Sequence, residues 1–209
     1  MKSDPYRWLS KVYDPLVEPF NATLRNIGFN MVPLEKGMRV LEVGCGTGTN
    51  LQMYHQAGCD VFGIDPSPAM LRVAHRKLGP EAHLHQGDAA RMPYPDDTFD
   101  LGLAMLTLHE MPRSTRLRVI GEFLRVVKRE GRLLLIDFHP GPLKFPGGYG
   151  NKLFILLIER IAGREHFRNH CDFIARGGLL PFIERSYLTI EKRKIISGGN
   201  LALFAVKSR

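Results

Sequence analysis

Seven consecutive residues, Glu42-Val43-Gly44-Cys45-Gly46-Thr47-Gly48, carry the densest chemical signal in the chain. Glycines at 44, 46 and 48 allow a tight turn and let a ligand approach the backbone closely. A helix starting behind them would offer its free N–H groups to an anionic or polar ligand group. The spacing is GxGxG, with Thr49 where a dinucleotide loop would place its third glycine. A P-loop would end in Gly-Lys-Ser/Thr, and Thr49-Asn50 brings no lysine. Both phosphate-binding patterns therefore fail. Glu42 argues the same way, because a carboxylate repels a pyrophosphate but suits the ammonium of an amino acid, directly or through water. Asp65 can accept from both hydroxyls of a ribose, and Asp88, in Gly87-Asp88-Ala89, from an adenine amino group. Each acid taken alone reads equally well as a helix cap or a surface carboxylate.

What would position these groups is an alternation of short apolar runs and amphipathic stretches. Strands are expected over Met38–Val43, Asp60–Asp65, Ala82–Gln86, Phe99–Met105 and Gly131–Phe138. Helices are expected over Thr49–Ala57, Ser67–Leu78 and Ser114–Lys128. Ser67 or Asp65 can cap the second helix, and Pro68 fits its first turn. Strand, helix, strand in this order implies parallel strands joined by crossovers, an α/β sheet layered with helices. Such sheets bind ligands at the carboxyl ends of their strands. Glu42, Asp65 and Asp88 then stand at three successive strand ends. Three carboxylates so placed suit an amino acid, a ribose and an adenine with no phosphate, which describes S-adenosylmethionine.

Beyond Phe138 the rhythm breaks. Residues 139–165 read as an insertion rich in Pro and Gly at its start, with a helix over Asn151–Ala162 that is apolar on most sides. Such a helix must bury against core, lipid, a lipophilic ligand or a partner chain. Lys144, Lys152, Arg160 and Arg164 are interspersed and would suit an anionic membrane surface. A helix over His166–Arg176 and an antiparallel strand pair over Leu180–Ile190 and Asn200–Val206 are expected to follow. One domain spanning 1–209 is expected: a helical cap over 1–37, the ligand-binding core over 38–138, the insertion, and a C-terminal helix and strands over 166–209.

The chain carries 29 Lys and Arg against 21 Asp and Glu, a net charge of +8. That favours anionic partners, although the mild clusters at 113–118, 125–132 and 192–194 also read as solvated faces. Residues 1–11 are polar, with no secretory signal pattern, and no apolar run approaches the ~20 residues that span a bilayer. Cys45, Cys59 and Cys171 lack metal or disulfide spacing and read as reduced, buried thiols of a cytoplasmic protein. His83 and His85 share one face of the third strand, but a metal site would need further ligands, so no metal is expected.

The stretches VLEVGCGTGTNL (40–51), VFGIDPSPAML (61–71), GDAARMPYPDDTFDLGLAMLTLHEM (87–111) and LRVVKREGRLLLID (124–137) resemble the class I S-adenosylmethionine-dependent methyltransferases. The branch they are most similar to contains the ubiquinone and menaquinone C-methyltransferases and related phospholipid N-methyltransferases. The resemblance covers most of residues 38–138. It implies a Rossmann-like seven-stranded sheet, mostly parallel, with the last strand antiparallel. It also implies that Glu42, Gly44, Cys45, Gly46 and Gly48 meet the methionine part of the cofactor, that Asp65 holds the ribose, and that Pro66 and Met70 flank the adenine. Asp88 and Ala89 would read the adenine edge, and Leu106 would line the pocket. Tyr13-Asp14 is similar to a pair in a segment that covers the site in that branch.

Methyl transfer from a sulfonium is an in-line displacement, so the protein mainly aligns the acceptor and excludes water. His109 is the first candidate for a base or substrate contact, His139 the second, and Tyr13 a cap on the pocket. Each histidine also reads as a packing residue that shapes the pocket. The expected acceptor is small and lipophilic, a quinone precursor or a phospholipid. An RNA or other nucleic-acid methyltransferase is the alternative, disfavoured because Met105–His109 lacks an Asn/Asp-Pro-Pro-Tyr/Phe sequence. A non-catalytic cofactor-binding subunit is the third. Oligomeric state is left open, homo-oligomers included.

Overall fold

The computed structural model describes residues 13–208, and side chains from Asn21 to Lys207. Its centre is a seven-stranded sheet in the order β3-β2-β1-β4-β5-β7-β6. The strands are β1 (Arg39–Val43), β2 (Asp60–Asp65), β3 (His83–Gln86), β4 (Phe99–Met105), β5 (Val127–Phe138), β6 (Leu188–Ile196) and β7 (Leu201–Ser208). The pairs from β3 through β5 are parallel, and β7 runs antiparallel to both β5 and β6. The architecture is the Rossmann-like sheet expected, with its last strand antiparallel.

The aliphatic strands are buried on both faces, as strands covered by helices on each side must be. Leu41 and Val43 join the layer containing α4 (Arg113–Val126), α6 (Arg164–Ala175) and α7 (Leu180–Arg185), whose centre is Phe99, Phe123, Phe173 and Phe204. Val40 faces the layer of α1 (Tyr13–Phe29), α2 (Thr49–Gln56) and α3 (Pro68–Leu78), packed through Leu24, Leu51, Tyr54, Val61 and Leu103. Helix α1 crosses the sheet at Gly28, where an added Cβ would lie 2.6 Å from the Cδ1 of Ile136 and close to Leu134. That contact sets α1 against β5 and carries its middle turns toward the ends of β1 and β4.

Four expectations are corrected. Residues 180–185 form a helix, not the start of a strand. Leu179, Phe182 and Ile183 bury together at helical spacing, and Pro181 occupies the first turn, which outweighs the β-branched content of the segment. Strand β5 begins at Val127, directly after α4, because Val127 pairs with Phe99 before a register shift admits Gly131. The apolar helix of the insertion, α5 (Gly147–Ile161), starts four residues early. Finally, Cys45 and Cys59 are free and buried, but Cys171 is exposed.

Helix α5 is inverted with respect to solvent. Tyr149, Leu153, Leu157 and Ile161 form an i, i+4 stripe that is exposed, as is Phe145 just before the helix. The residues α5 buries are Gly148 and Glu159.

Candidate active site

The loop after β1 is built on left-handed backbone at Gly44, Gly46 and Gly48, with φ of 67°, 52° and 75°. These three glycines do different work. A Cβ on Gly44 would collide with the side chain of Thr107, so the loop lies flat on the end of β4. A Cβ on Gly46 would meet nothing within 4 Å, leaving its face open. Gly48 caps α2, and a Cβ there would strike Leu78 at 2.9 Å and Ala74 at 3.1 Å. It therefore serves the packing of α2 on α3 and does not line the cleft.

Asp65 ties the first two strand ends together. Its Oδ2 accepts from the backbone N–H of Gly46 (2.9 Å) and its Oδ1 from that of Ser67 (2.8 Å). Ser67 in turn caps α3, its Oγ accepting from the N–H of Met70 at 3.1 Å. Asp88 closes a turn by accepting from the N–H of Ala90 (2.9 Å) while its side chain stays exposed. Leu106 takes a positive φ of 50° at the end of β4, its N–H bonded to the carbonyl of Ile136.

These ends enclose a cleft of about 380 Å3, within the ~300–1,000 Å3 of small-molecule sites. Of the cofactor-binding candidates, Glu42, Gly44, Cys45, Gly46, Asp65, Pro66, Met70, Asp88, Ala89 and Leu106 line it. Among its described lining residues, four carboxylates (Glu42, Asp65, Asp88 and Glu110) stand against one guanidinium, Arg25. An acidic cleft in a chain of net charge +8 is built against phosphate and for a cation.

Glu42 is the deepest of the four, 3 % exposed. Its Oε1 accepts from the Asn50 side chain at 2.7 Å, and its Oε2 is buried with no hydrogen-bond partner. Burial pushes its carboxyl up from 4.5 to about 8, against the opposing pull of Asn50 and Arg25. Burial and the negative charges of Asp65 and Glu42 also hold the Cys45 thiol well above its usual value, so it stays protonated and unreactive. Residues 21, 25, 47, 50 and 107 line the cleft too. Sequence reasoning did not single them out, although Asn50 lies in the first turn of α2, directly after the glycine loop.

The two histidine candidates sit outside the cleft lining. His109, in the 3-10 turn Leu108–Glu110 after β4, is 3 % exposed and points away from the cleft, whereas its neighbour Glu110 lines it. Burial alone would lower the His109 pKa, but Asp137, Glu110 and Glu159 together raise it to about 9. An imidazole so held is protonated near neutral pH and cannot act as a base. His139 bonds the backbone of Gly199 and Gly141 and is outside the cleft lining. Tyr13 opens α1, and its side chain lies outside the described residues. His83 stacks on Phe62, ring centroids 4.5 Å apart, in an ordinary strand contact.

Residues 40–131 match the methyltransferase domain family. A demethylmenaquinone methyltransferase of Renibacterium salmoninarum is 35 % identical over 123 residues, covering 57 % of this chain and 51 % of that protein. A phosphatidylethanolamine N-methyltransferase of Cereibacter sphaeroides is 39 % identical over 108 residues, 49 % of this chain and 51 % of its own. The chain thus spans about half the length of the curated relatives it matches. In structure, a Haloferax volcanii methyltransferase solved with the Trm112 methyltransferase activator superposes with a TM-score of 0.73 at 16 % identity, over 100 % of both chains.

Proposed function

We propose, for a chain that carries a methyltransferase domain and shares the fold of S-adenosylmethionine-dependent methyltransferases, an enzyme that binds S-adenosylmethionine in this cleft and methylates a small lipophilic acceptor. The observation that carries the reading is the acidic lining, with the unpartnered Oε2 of buried Glu42 at its floor. The methionine ammonium would give the Oε2 of Glu42 a direct partner, and Arg25 would face the methionine carboxylate. Asp65, held by two backbone N–H groups, is oriented for a ribose diol. Pro66 and Met70 would flank the adenine, with Asp88 and Ala89 at its edge. The open face of Gly46 allows the ligand to lie on the backbone. The bound cofactor supplies an activated methyl group, and the chain's own residues orient it and exclude water.

The exposed stripe of α5 supports a lipophilic acceptor taken up at a membrane surface. Tyr149, Leu153, Leu157 and Ile161 would enter the boundary between headgroups and acyl chains, with Lys152 and Arg160 beside them meeting anionic lipid. The quinone and phospholipid acceptors named for the two relatives above are of this class. No helix among the described residues is long and apolar enough to cross a membrane. A nucleic-acid acceptor is less favoured, because Arg125, Lys128, Arg132 and Lys207 are each paired with a carboxylate. A labelled-methyl transfer assay against lipid, quinone-precursor and RNA fractions is expected to label the lipid or quinone fraction. Label in RNA alone would overturn the acceptor class, and label in no fraction would favour a non-catalytic subunit.

A further inference from the structure

A second cluster of chemistry lies behind the cleft, around the one carboxylate that α5 buries. The Oε2 of Glu159 faces three imidazole nitrogens: Nε2 of His166 at 2.8 Å, Nδ1 of His170 at 3.4 Å and Nε2 of His109 at 3.5 Å. His166 lies at hydrogen-bond distance from this oxygen, whereas His170 and His109 stand only at ion-pair distance from it. Neither ring nitrogen of His170 makes a hydrogen bond, though the residue is 1 % exposed. Buried polar atoms are normally satisfied, so two nitrogens without a hydrogen bond beside one crowded carboxylate require an explanation.

His109 indicates what is missing. Its Nδ1 lies 2.7 Å from Oδ1 of Asp137, a carboxylate that also accepts the backbone N–H groups of His109 and Phe138. Asp137 thus accepts the Nδ1 hydrogen bond, and a cation that displaces the Nε2 proton would find that nitrogen aimed at Glu159. A carboxylate holding the far nitrogen of an imidazole is the usual support of a metal ligand. One ligand atom each from His109, Glu159 and His166 lies within 4.8 Å of the other two. Tetrahedral bonds of ~2.0–2.1 Å would place such atoms roughly 3.4 Å apart. Two of the separations, 2.8 and 3.5 Å, bracket that value.

We propose that His109, Glu159 and His166 bind a divalent transition cation of the zinc type, with His170 or water in the fourth position. Two imidazoles and one carboxylate match zinc and its neighbours, whereas magnesium and calcium require sets of oxygens. The ion would join the turn after β4 to α5 and α6. It accounts for the inversion of α5, which buries a glutamate and leaves its aliphatic stripe outside. It would also fix the turn whose next residue, Glu110, lines the cleft. The site stands independently of what the cleft binds.

The test uses the full chain, free of any histidine tag and stripped with a chelator. Calorimetric titration with ZnCl2 should show one tight equivalent per chain, and Co2+ should give the visible absorption of a four- or five-coordinate site. His166→Ala, at a partly exposed helical position, should weaken zinc binding by more than ~100-fold, beyond what the loss of an outer support costs. His83→Ala, outside the cluster, should change nothing. A stripped chain that loses helical circular dichroism and regains it on adding zinc also supports the site. If His166→Ala fails to fold, Glu159→Gln carries the same expectation. Absence of stoichiometric uptake by the folded, stripped chain would overturn the proposal, as would equal affinity in the parent and the ligand variants. The cluster is then a proton-bridged ion-pair network.

Discussion

Replacing Glu42 by glutamine should make the protein more stable and worse at holding its cofactor. The unfolded chain ionises Glu42 near 4.5, whereas the folded chain does so near 8. Above 4.5 the folded state binds more protons than the unfolded state, so stability falls as pH rises and levels off past about 8. At ~1.36 kcal/mol per pH unit, that gap bounds the loss at about 5 kcal/mol above pH 8 and about 3 kcal/mol at pH 7. Relaxation around a buried site reduces such figures, so a gain of about 1–3 kcal/mol is expected for Glu42→Gln at pH 7. For a domain of this size that is a rise of roughly 2–10 °C in Tm. The gain should vanish near pH 4.5, where both side chains are neutral in the folded state. The introduced amide can still accept from Asn50, but it has no charge for an ammonium. Losing a hydrogen bond to a charged group, ~1.5–3 kcal/mol, should weaken S-adenosylmethionine binding by about 10–150-fold. Thermal melts of parent and variant at pH 4.5, 7 and 8.5, paired with calorimetry, decide the matter. A Tm difference that does not change with pH would refute the buried-carboxylate account.

Two further predictions separate residues that look alike in sequence. Gly46→Ala should cost only the ~1–2 kcal/mol of a left-handed residue yet impair cofactor binding, whereas Gly48→Ala should lower Tm by more and leave affinity within a few-fold; melts and calorimetry on both variants check the contrast. Arg116 is fully buried, and its guanidinium donates to the carbonyls of Leu108 and Asn169 and to Asp172, joining α4, α6 and the turn before Glu110. Arg116→Met should destabilise by about 3–5 kcal/mol, since it strands buried acceptors, and a Tm drop below ~3 °C would contradict that reading.

Most of the cleft lining was legible because it depends on local rules. Left-handed turns require Gly44 and Gly46, and the aliphatic run ending at Val43 marks a strand whose tip must carry Glu42. Asp65 and Asp88 follow from the same strand–loop grammar. What sequence could not show is assembled across long separations. Arg25 reaches the cleft only because Gly28 seats α1 on Ile136 and Leu134. His109, Glu159 and His166 are scattered over 58 residues with no ligand spacing, and only the packing of α5 and α6 on the turn after β4 gathers them. The same packing turns His109 away from the cleft, where its position after β4 had suggested a base. Residues 180–185 misread as a strand because their Leu, Phe and Ile suit either element; Gly177 and Gly178, both left-handed, end α6, and α7 begins at Leu180.

The central claim is that the cleft takes a cationic, phosphate-free nucleoside. Titrating the full chain by calorimetry with S-adenosylmethionine and, separately, with ATP tests it most directly. One-to-one binding of S-adenosylmethionine, lost in Asp65→Ala, with no heat from ATP, is the predicted result. Binding of ATP in place of S-adenosylmethionine, or S-adenosylmethionine affinity unchanged in Asp65→Ala, would contradict it.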